Sequence, residues 1–204
     1  MRRLALIGTG AVLTALVLST GAPDAAPRSA NRAPRPADRA PRYADGAPPG
    51  FSGGFKEQSC HACHFAAGEV NTPPGQVTLS GVPDRFVAGQ KYPLTVTLSR
   101  PGMAIAGFQL AARFDDGSQA GALERGMGEE GRLAIEVESN VHYANQKRKG
   151  ADPTTPGTAK WTLVWTAPAA GMPVTFHLAA NAADNDESAR GDYVYTSSVS
   201  SRPQ

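Results

Sequence analysis

The sequence predicts an all-β protein whose folded part is a β-sandwich. From residue 76 onward, apolar and polar side chains alternate with a period of two in successive segments. Such alternation is typical of half-buried strands. Clusters of Gly, Pro, Asn and Asp separate the segments, as turns between strands require. About seven strands over roughly 125 residues fit one sandwich domain, which we place at residues 76–199.

Residues 1–21 predict a secretory leader. Two arginines follow Met1, and an apolar run from Leu4 to Leu18 comes next. A short basic region before an apolar region is typical of signal peptides. The run is short for a membrane span, so the leader is either cleaved or kept as an N-terminal membrane anchor. We therefore expect an exported protein, periplasmic or extracellular, with membrane contact only through this segment.

Residues 22–49 predict an extended linker. Units rich in Ala, Pro and Arg repeat across it, and they offer few large apolar side chains to a core. Residues 1–50 contain seven of the 20 basic residues and three of the 18 acidic ones, so the remainder carries a formal charge of about −2. No basic face is left for nucleic acid, and we exclude nucleic acid as a partner.

Residues 50–75 contain the motif on which the functional prediction depends. Cys60, Cys63 and His64 form a C-x-x-C-H run, the attachment signature of a c-type haem. The two thiols are spaced to form thioethers with the porphyrin vinyl groups, and the histidine that follows is the proximal iron ligand. The chain has 2 Cys, both in this run, so no other disulfide competes for them. The sequence predicts one covalent haem c, held in an irregular glycine-rich segment.

Three alternatives for the cysteine pair remain open. A C-x-x-C pair also occurs as a redox dithiol, although that function expects a βαβ context, which this pattern lacks. It also occurs as half of a zinc site that histidines complete. In an oxidising compartment, two such cysteines also form a structural disulfide.

The strands of the sandwich follow in chain order. Four segments alternate clearly between apolar and polar residues, at 92–98, 108–114, 161–165 and 174–180. Three shorter strands are predicted at 76–80, 133–138 and 193–199. Turn residues lie between them, for example Asp115-Asp116-Gly117 and Thr155-Pro156-Gly157.

Several of these stretches resemble a reeler domain. The resemblance rests on VPDRFVAGQKYPLTVTL at 82–98, GFQLAAR at 107–113, VHY at 141–143, WTLVWTAP at 161–168 and VTFH at 174–177. With the preceding C-x-x-C-H segment, the chain resembles exported bacterial proteins of the choice-of-anchor V type. The resemblance implies an immunoglobulin-like sandwich on an exported protein and leaves the activity undefined.

The second axial ligand of the iron is sought among the remaining His and Met residues. The candidates are His142, His177, Met103, Met127 and Met172. We expect His142, near a strand end before a basic loop, to bind the iron on the face opposite His64. His177 is out of phase with the apolar row of its strand, so it is predicted to face away from the main core.

Two functions follow from these predictions. A second histidine ligand suits electron transfer, whereas an open iron site suits ligand binding. We therefore expect an exported monohaem c-type cytochrome that exchanges electrons with a redox partner protein. The alternative is a haem-bearing binding or sensor module whose sandwich recognises a ligand or a surface. No Ser-His-Asp set or paired carboxylates stand out, so we expect an electron carrier or a binding protein rather than an enzyme.

Overall fold

The computed structural model describes residues 43–65 and 67–204. The predicted leader and residues 22–42 of the predicted linker lie outside the described residues. Within the described residues, two short 3-10 turns, Cys60–Ala62 and Arg148–Gly150, accompany ten strands. The strands are β1 (Gln76–Ser80), β2 (Arg85–Phe86), β3 (Lys91–Ser99), β4 (Ile105–Arg113), β5 (Ala122–Arg125), β6 (Leu133–Glu138), β7 (Val141–Gln146), β8 (Thr158–Thr166), β9 (Val174–Ala183) and β10 (Tyr193–Pro203).

The strands form two sheets. The four-stranded sheet has the order β1-β3-β8-β5, and the six-stranded sheet has the order β2-β10-β9-β4-β7-β6. Strands pair in antiparallel fashion, apart from the parallel contact of β2 with β10. In the centre of the six-stranded sheet, Leu110 of β4 lies opposite Leu178 of β9. This register brings inward-facing apolar residues of neighbouring strands side by side.

The core lies between the two sheets and confirms the predicted β-sandwich. Trp165 is fully buried and packs edge-on against Phe86 and Phe176, with ring centroids 5.5 and 4.9 Å apart. Its indole Nε1 donates a 2.9 Å hydrogen bond to the carbonyl of Ala120, and Nε1 of Trp161 donates likewise to Gly150 at 2.7 Å. Both buried indoles therefore keep the hydrogen bond that they would otherwise make to water.

The other face of the six-stranded sheet is buried as well. We call this face, turned away from the four-stranded sheet, the outer face. On β4 its side chains are Gln109, Ala111 and Arg113, all buried. The chain that precedes β1, residues 43–65 and 67–75, covers it, and we call these residues the covering segment. Phe55 of this segment joins Ala111 and Tyr143 in a second apolar cluster.

The structure differs from the sequence prediction in three respects. The predicted linker runs to residue 49, whereas Asp45 and Pro48 already hydrogen-bond to the sandwich, through the amide of Arg148 and the side chain of Gln109. The last strand continues to Pro203 instead of ending at 199. Strands β2, β5 and β7 were not predicted. Across the described residues, no helix has the length and apolar character needed to cross a membrane.

Candidate functional site

The covering segment is fixed to the outer face through a buried carboxylate. Glu57 accepts a 2.6 Å hydrogen bond from the hydroxyl of Tyr143 and pairs with the guanidinium of Arg113 through the same oxygen, Oε1. Its other oxygen accepts a 2.5 Å hydrogen bond from Oγ of Ser52. The Glu57 and Arg113 side chains are only 12% and 9% exposed. The segment is therefore held three residues before the first cysteine.

Two further contacts hold the segment on either side of that anchor. Upstream, the buried side chain of Gln109 accepts from the amide of Phe51 at 2.5 Å and donates to the carbonyl of Pro48 at 2.8 Å. Downstream, the amide of Asn71 donates to the carbonyl of Val194, and its Oδ1 accepts from the amide of Thr196. Because long-range contacts hold it at three places, this irregular segment has a defined position on the sheet.

The C-x-x-C-H run forms one tight turn. Ser59 caps the 3-10 turn, since its Oγ accepts from the amide of His61 at 3.2 Å. The carbonyl of Cys60 then accepts from the amides of both Cys63 and His64, at 3.2 and 3.0 Å. Both cysteines are free and half-buried. The turn brings the two thiols and the His64 ring to the wall of one cavity, while His61 does not line it.

The cavity has a volume of about 340 Å³. It lies at the end of the six-stranded sheet where β4 begins and β9 ends. Its apolar lining includes Phe51, Ile105, Ala106, Phe108, Ala151 and Ala183, and its polar lining includes Gln146, Arg148, Asn181, Asp186, Ser188 and Asp192. Small-molecule and cofactor sites typically measure about 300–1,000 Å³ and combine an apolar lining with a few polar groups. The cavity beside the motif has this character.

His64 is held by a buried carboxylate. Its Nδ1 lies 2.5 Å from Oδ2 of Asp192, which is 3% exposed, and the side-chain Nδ2 of Asn181 lies 3.2 Å from the same nitrogen. An ionised carboxylate can only accept, so Nδ1 is the nitrogen that donates a proton to Asp192, and Nε2 is the nitrogen left for another partner. This is the arrangement in which a metal-ligating histidine donates its second nitrogen to a carboxylate.

The pKa of the Cys60 thiol is raised. Burial raises the pKa of this thiol from 9.0 to about 12, with a smaller contribution from the charge of Cys63. Redox-active C-x-x-C motifs depend on a lowered pKa that supplies the thiolate. Within residues 43–65 and 67–204, no three His, Cys, Asp or Glu side chains form a group that could hold a metal ion. Neither the dithiol nor the zinc alternative gains support from this site.

The residues around the cavity fit a covalently bound haem. Both thiols are free and line the same cavity as His64, whose Nδ1 is occupied by Asp192. Apolar side chains provide the dry surroundings that suit a porphyrin, and the Arg148 side chain supplies a basic group. Of the aromatic residues near the motif, Phe51 lines the cavity, while Phe65 is 63% exposed.

The structure places His142, the residue expected to bind the iron, away from the C-x-x-C-H run. His142 is the second residue of β7 and has the phase of Ala144, which belongs to the core between the sheets. Its Nδ1 accepts from the amide of Leu123 in β5, at 3.5 Å, and its own amide donates to Gln119. His142 therefore points towards the four-stranded sheet, whereas the C-x-x-C-H run lies over the opposite face of the six-stranded sheet.

The remaining candidates also lie away from the cavity. His177 does face outward, but its ring packs edge-on against Phe55 with centroids 4.6 Å apart, and Gly54 lies against it. Burial lowers the pKa of His177, because it disfavours the imidazolium. Of the methionines, Met103 is buried in the core, Met127 is 97% exposed and Met172 is 45% exposed. None of these side chains lines the cavity.

No local sequence pattern indicates the residues that hold the motif. Asp192 and Asn181 contact His64 across 128 and 117 positions of the chain. Glu57 and Tyr143 are 86 positions apart. Asp192 follows Arg190 and Gly191 in an acidic turn, and that local pattern predicts only a solvated loop. A pairing signal from related sequences would be needed to find these contacts.

The chain is similar to several solved structures, all at low sequence identity. No protein-family model matches the sequence, and no curated protein matches it at a significant level. Among solved structures, the reeler domain of human F-spondin is 18% identical, covering 67% of this chain and 92% of that chain with a TM-score of 0.42. A cohesin module of a Clostridium perfringens family 33 glycoside hydrolase is 11% identical, covering 65% and 98% with a TM-score of 0.44. At these values the similarity adds nothing to the sandwich described above.

Proposed function

We propose that this chain is an exported monohaem c-type cytochrome that exchanges electrons with a partner protein. The observation that supports it best is the shared position of Cys60, Cys63 and His64 on one cavity wall, with Nδ1 of His64 bound to Asp192. The predicted leader supports export, because c-type haem is attached outside the cytoplasm. In this proposal the reeler-like sandwich is the scaffold on which the haem segment lies.

Six residues of the cavity wall have specific roles in the proposal. The sulfurs of Cys60 and Cys63 would hold the haem covalently, and Nε2 of His64 would be its axial ligand. The haem supplies the one-electron chemistry. Phe51 and Phe108 exclude water from its surroundings. Arg148, which already pairs with Asp152 at 3.2 Å, offers a guanidinium suited to a haem carboxylate.

The proposal is tested by producing the full chain in a host with the c-type haem attachment machinery. A denaturing gel stained for haem should show a coloured band at the mass of the protein. The double variant Cys60→Ala, Cys63→Ala should lose the band. His61→Ala is the matched control, because His61 belongs to the same run and does not line the cavity. A colourless wild-type protein from this host would refute the proposal.

A second function, ligand binding or sensing, is favoured by a specific observation. Of the four histidines and the three methionines beyond Met1, only His64 lines the cavity. Among the described residues, the cavity would therefore offer a bound haem iron one histidine, His64, and no second His or Met side chain. Electron transfer can proceed with any sixth ligand on the haem iron, whereas ligand binding needs the sixth position to be open. Absorption spectra of the reduced protein with and without carbon monoxide distinguish the two.

A further inference from the structure

Among the described residues, only one of the two carboxylate oxygens of Asp192 has a hydrogen-bond partner. Asp192 is 3% exposed, and its Oδ2 lies 2.5 Å from Nδ1 of His64. Its other oxygen, Oδ1, is buried and has no hydrogen-bond partner among the described residues. A buried carboxylate is costly unless it is paired and hydrogen-bonded. The negative charge of Asp192 is therefore directed mainly at one group, the His64 ring.

The loop before β10 fixes Asp192 in this position. Gly191 has a φ of +83°, which L side chains rarely adopt, and a Cβ there would lie 2.4 Å from Oδ2 of Asp184. Asp184 lies beside it, and burial together with the charges of Asp186 and Asp192 raises the pKa of Asp184. Backbone geometry and packing thus keep several carboxylates together, although their charges repel one another.

We propose that Asp192 is a positioning residue that fixes the tautomer of His64 and lowers the reduction potential of the iron bound at Nε2. This inference rests on the proposed haem. A carboxylate that accepts from Nδ1–H makes the imidazole a stronger electron donor to a metal at Nε2. A buried negative charge near the iron also stabilises the oxidised, more positive form. Both effects favour ferric over ferrous iron.

A purely structural role for Asp192 predicts something different. If Asp192 only held the covering segment on the sheet, its replacement would lower stability and leave the potential unchanged. A change in potential is therefore the readout that separates the two roles. Asp186 provides a matched control, since it lies in the same loop and lines the same cavity, but it hydrogen-bonds to Ser188.

The experiment compares haem-loaded wild type, Asp192→Asn and Asp186→Asn by spectroelectrochemical titration. Covalent haem content is measured first by gel staining. We expect Asp192→Asn to retain its haem and to show, at a fixed applied potential, an oxidised-to-reduced ratio at least tenfold below that of the wild type. A tenfold ratio corresponds to about 59 mV for one electron. Asp186→Asn should change the ratio less than about threefold, because it is not bonded to the ligand.

The outcomes separate this inference from the proposed function. If the wild type carries no covalent haem, both fail. If haem is attached and the two variants shift the ratio equally, or Asp192→Asn does not shift it, this inference alone is overturned. Should Asp192→Asn fail to fold, Asp192→Ser replaces it, because a small hydroxyl can still accept from Nδ1–H without the charge. The Ser variant should then shift the ratio in the same direction, and an unchanged ratio overturns the inference.

Discussion

The hydroxyl of Tyr143 donates a 2.6 Å hydrogen bond to Oε1 of Glu57, across 86 positions of the chain. This contact joins β7 to a segment that has no strand pairing of its own before β1. Arg113 pairs with the same oxygen from the neighbouring strand β4. The position of the C-x-x-C-H run on the sheet thus depends on a polar cluster on the outer face rather than on the apolar core.

Replacing Glu57 should destabilise the protein strongly. In Glu57→Ala, the guanidinium of Arg113 stays buried without its carboxylate, and breaking such a pair costs about 3 kcal/mol. Urea unfolding of the full chain measures the loss. Glu69→Ala is the control, because Glu69 is exposed on the same segment and should change stability by less than about 0.5 kcal/mol. Equal effects of the two variants would show that the buried pair does not anchor the segment.

The stability of the protein should decline between about pH 10 and pH 12 in part because of Tyr143. Burial, followed by the hydrogen bond from Tyr143 to Glu57, raises the pKa of this phenol from 10.0 to about 12. As the pH rises through 10, the unfolded chain loses the phenol proton first, so the stabilisation present below pH 10 is lost by pH 12. Tyr143→Phe lacks this proton.

The test compares wild type and Tyr143→Phe at two pH values. At pH 8.5 the variant should be less stable by about 1 kcal/mol, the net value of a typical hydrogen bond. At pH 11 the difference in unfolding free energy should be smaller, because only the wild type loses stability through this group. An unchanged difference between the two pH values would mean that the pKa of Tyr143 is not raised.

Gly54 should tolerate no side chain. A Cβ at Gly54 would lie 2.0 Å from the ring of His177, which is itself packed against Phe55. Gly54→Ala therefore forces the ring or the segment to move, and overpacking of this kind typically costs about 1–3 kcal/mol. Gly171→Ala is the matched control, since its Cβ would meet open space. Thermal unfolding should show a loss of stability for the first variant and no loss for the second.

The extent to which the sequence predicts this fold follows from burial. Strands with one face in the core, such as β3 and β8, show the period of two and were predicted. No range was predicted for β7, because its neighbouring polar residues Asn145 and Gln146 lie on opposite faces and break the alternation, although both are buried. Strands β2 and β5 have two and four residues, too few for a periodic pattern. Strands β4 and β9 were predicted although both of their faces are covered, because polar residues such as Gln109 and His177 still alternate with apolar ones.

The candidate site was predicted only in part, because a sequence pattern shows local spacing and does not show contacts between distant residues. The spacing of Cys60, Cys63 and His64 is local, so the motif could be found in the sequence. Asp192 lies 128 positions from His64, and no local rule pairs them. His142 was assigned to the iron from its place near a strand end. Its phase with Ala144 shows that the side chain faces the four-stranded sheet, and that phase could be interpreted only once the limits of β7 were known.

The sixth position of the iron should be open to an added ligand in the haem-loaded protein. We expect the reduced wild type to bind carbon monoxide, and His142→Ala and His177→Ala to bind it with unchanged affinity. His142 points towards the four-stranded sheet and contacts the amide of Leu123, so it cannot reach the cavity without unpairing β7. The ring of His177 is covered by Gly54 and Phe55. Neither imidazole therefore competes with an added ligand.

Carbon monoxide difference spectra of the three proteins provide the measurement, and the Cys60→Ala, Cys63→Ala variant, which lacks the cysteines that attach the haem, provides the colourless control. Binding by the wild type, with unchanged affinity in both variants, would support ligand binding or sensing alongside electron transfer, since the open position is what that function needs. If the His142→Ala variant binds carbon monoxide and the wild type does not, then His142 reaches the iron through a rearrangement of β7. That result would restore two histidine ligands and leave electron transfer as the single supported function.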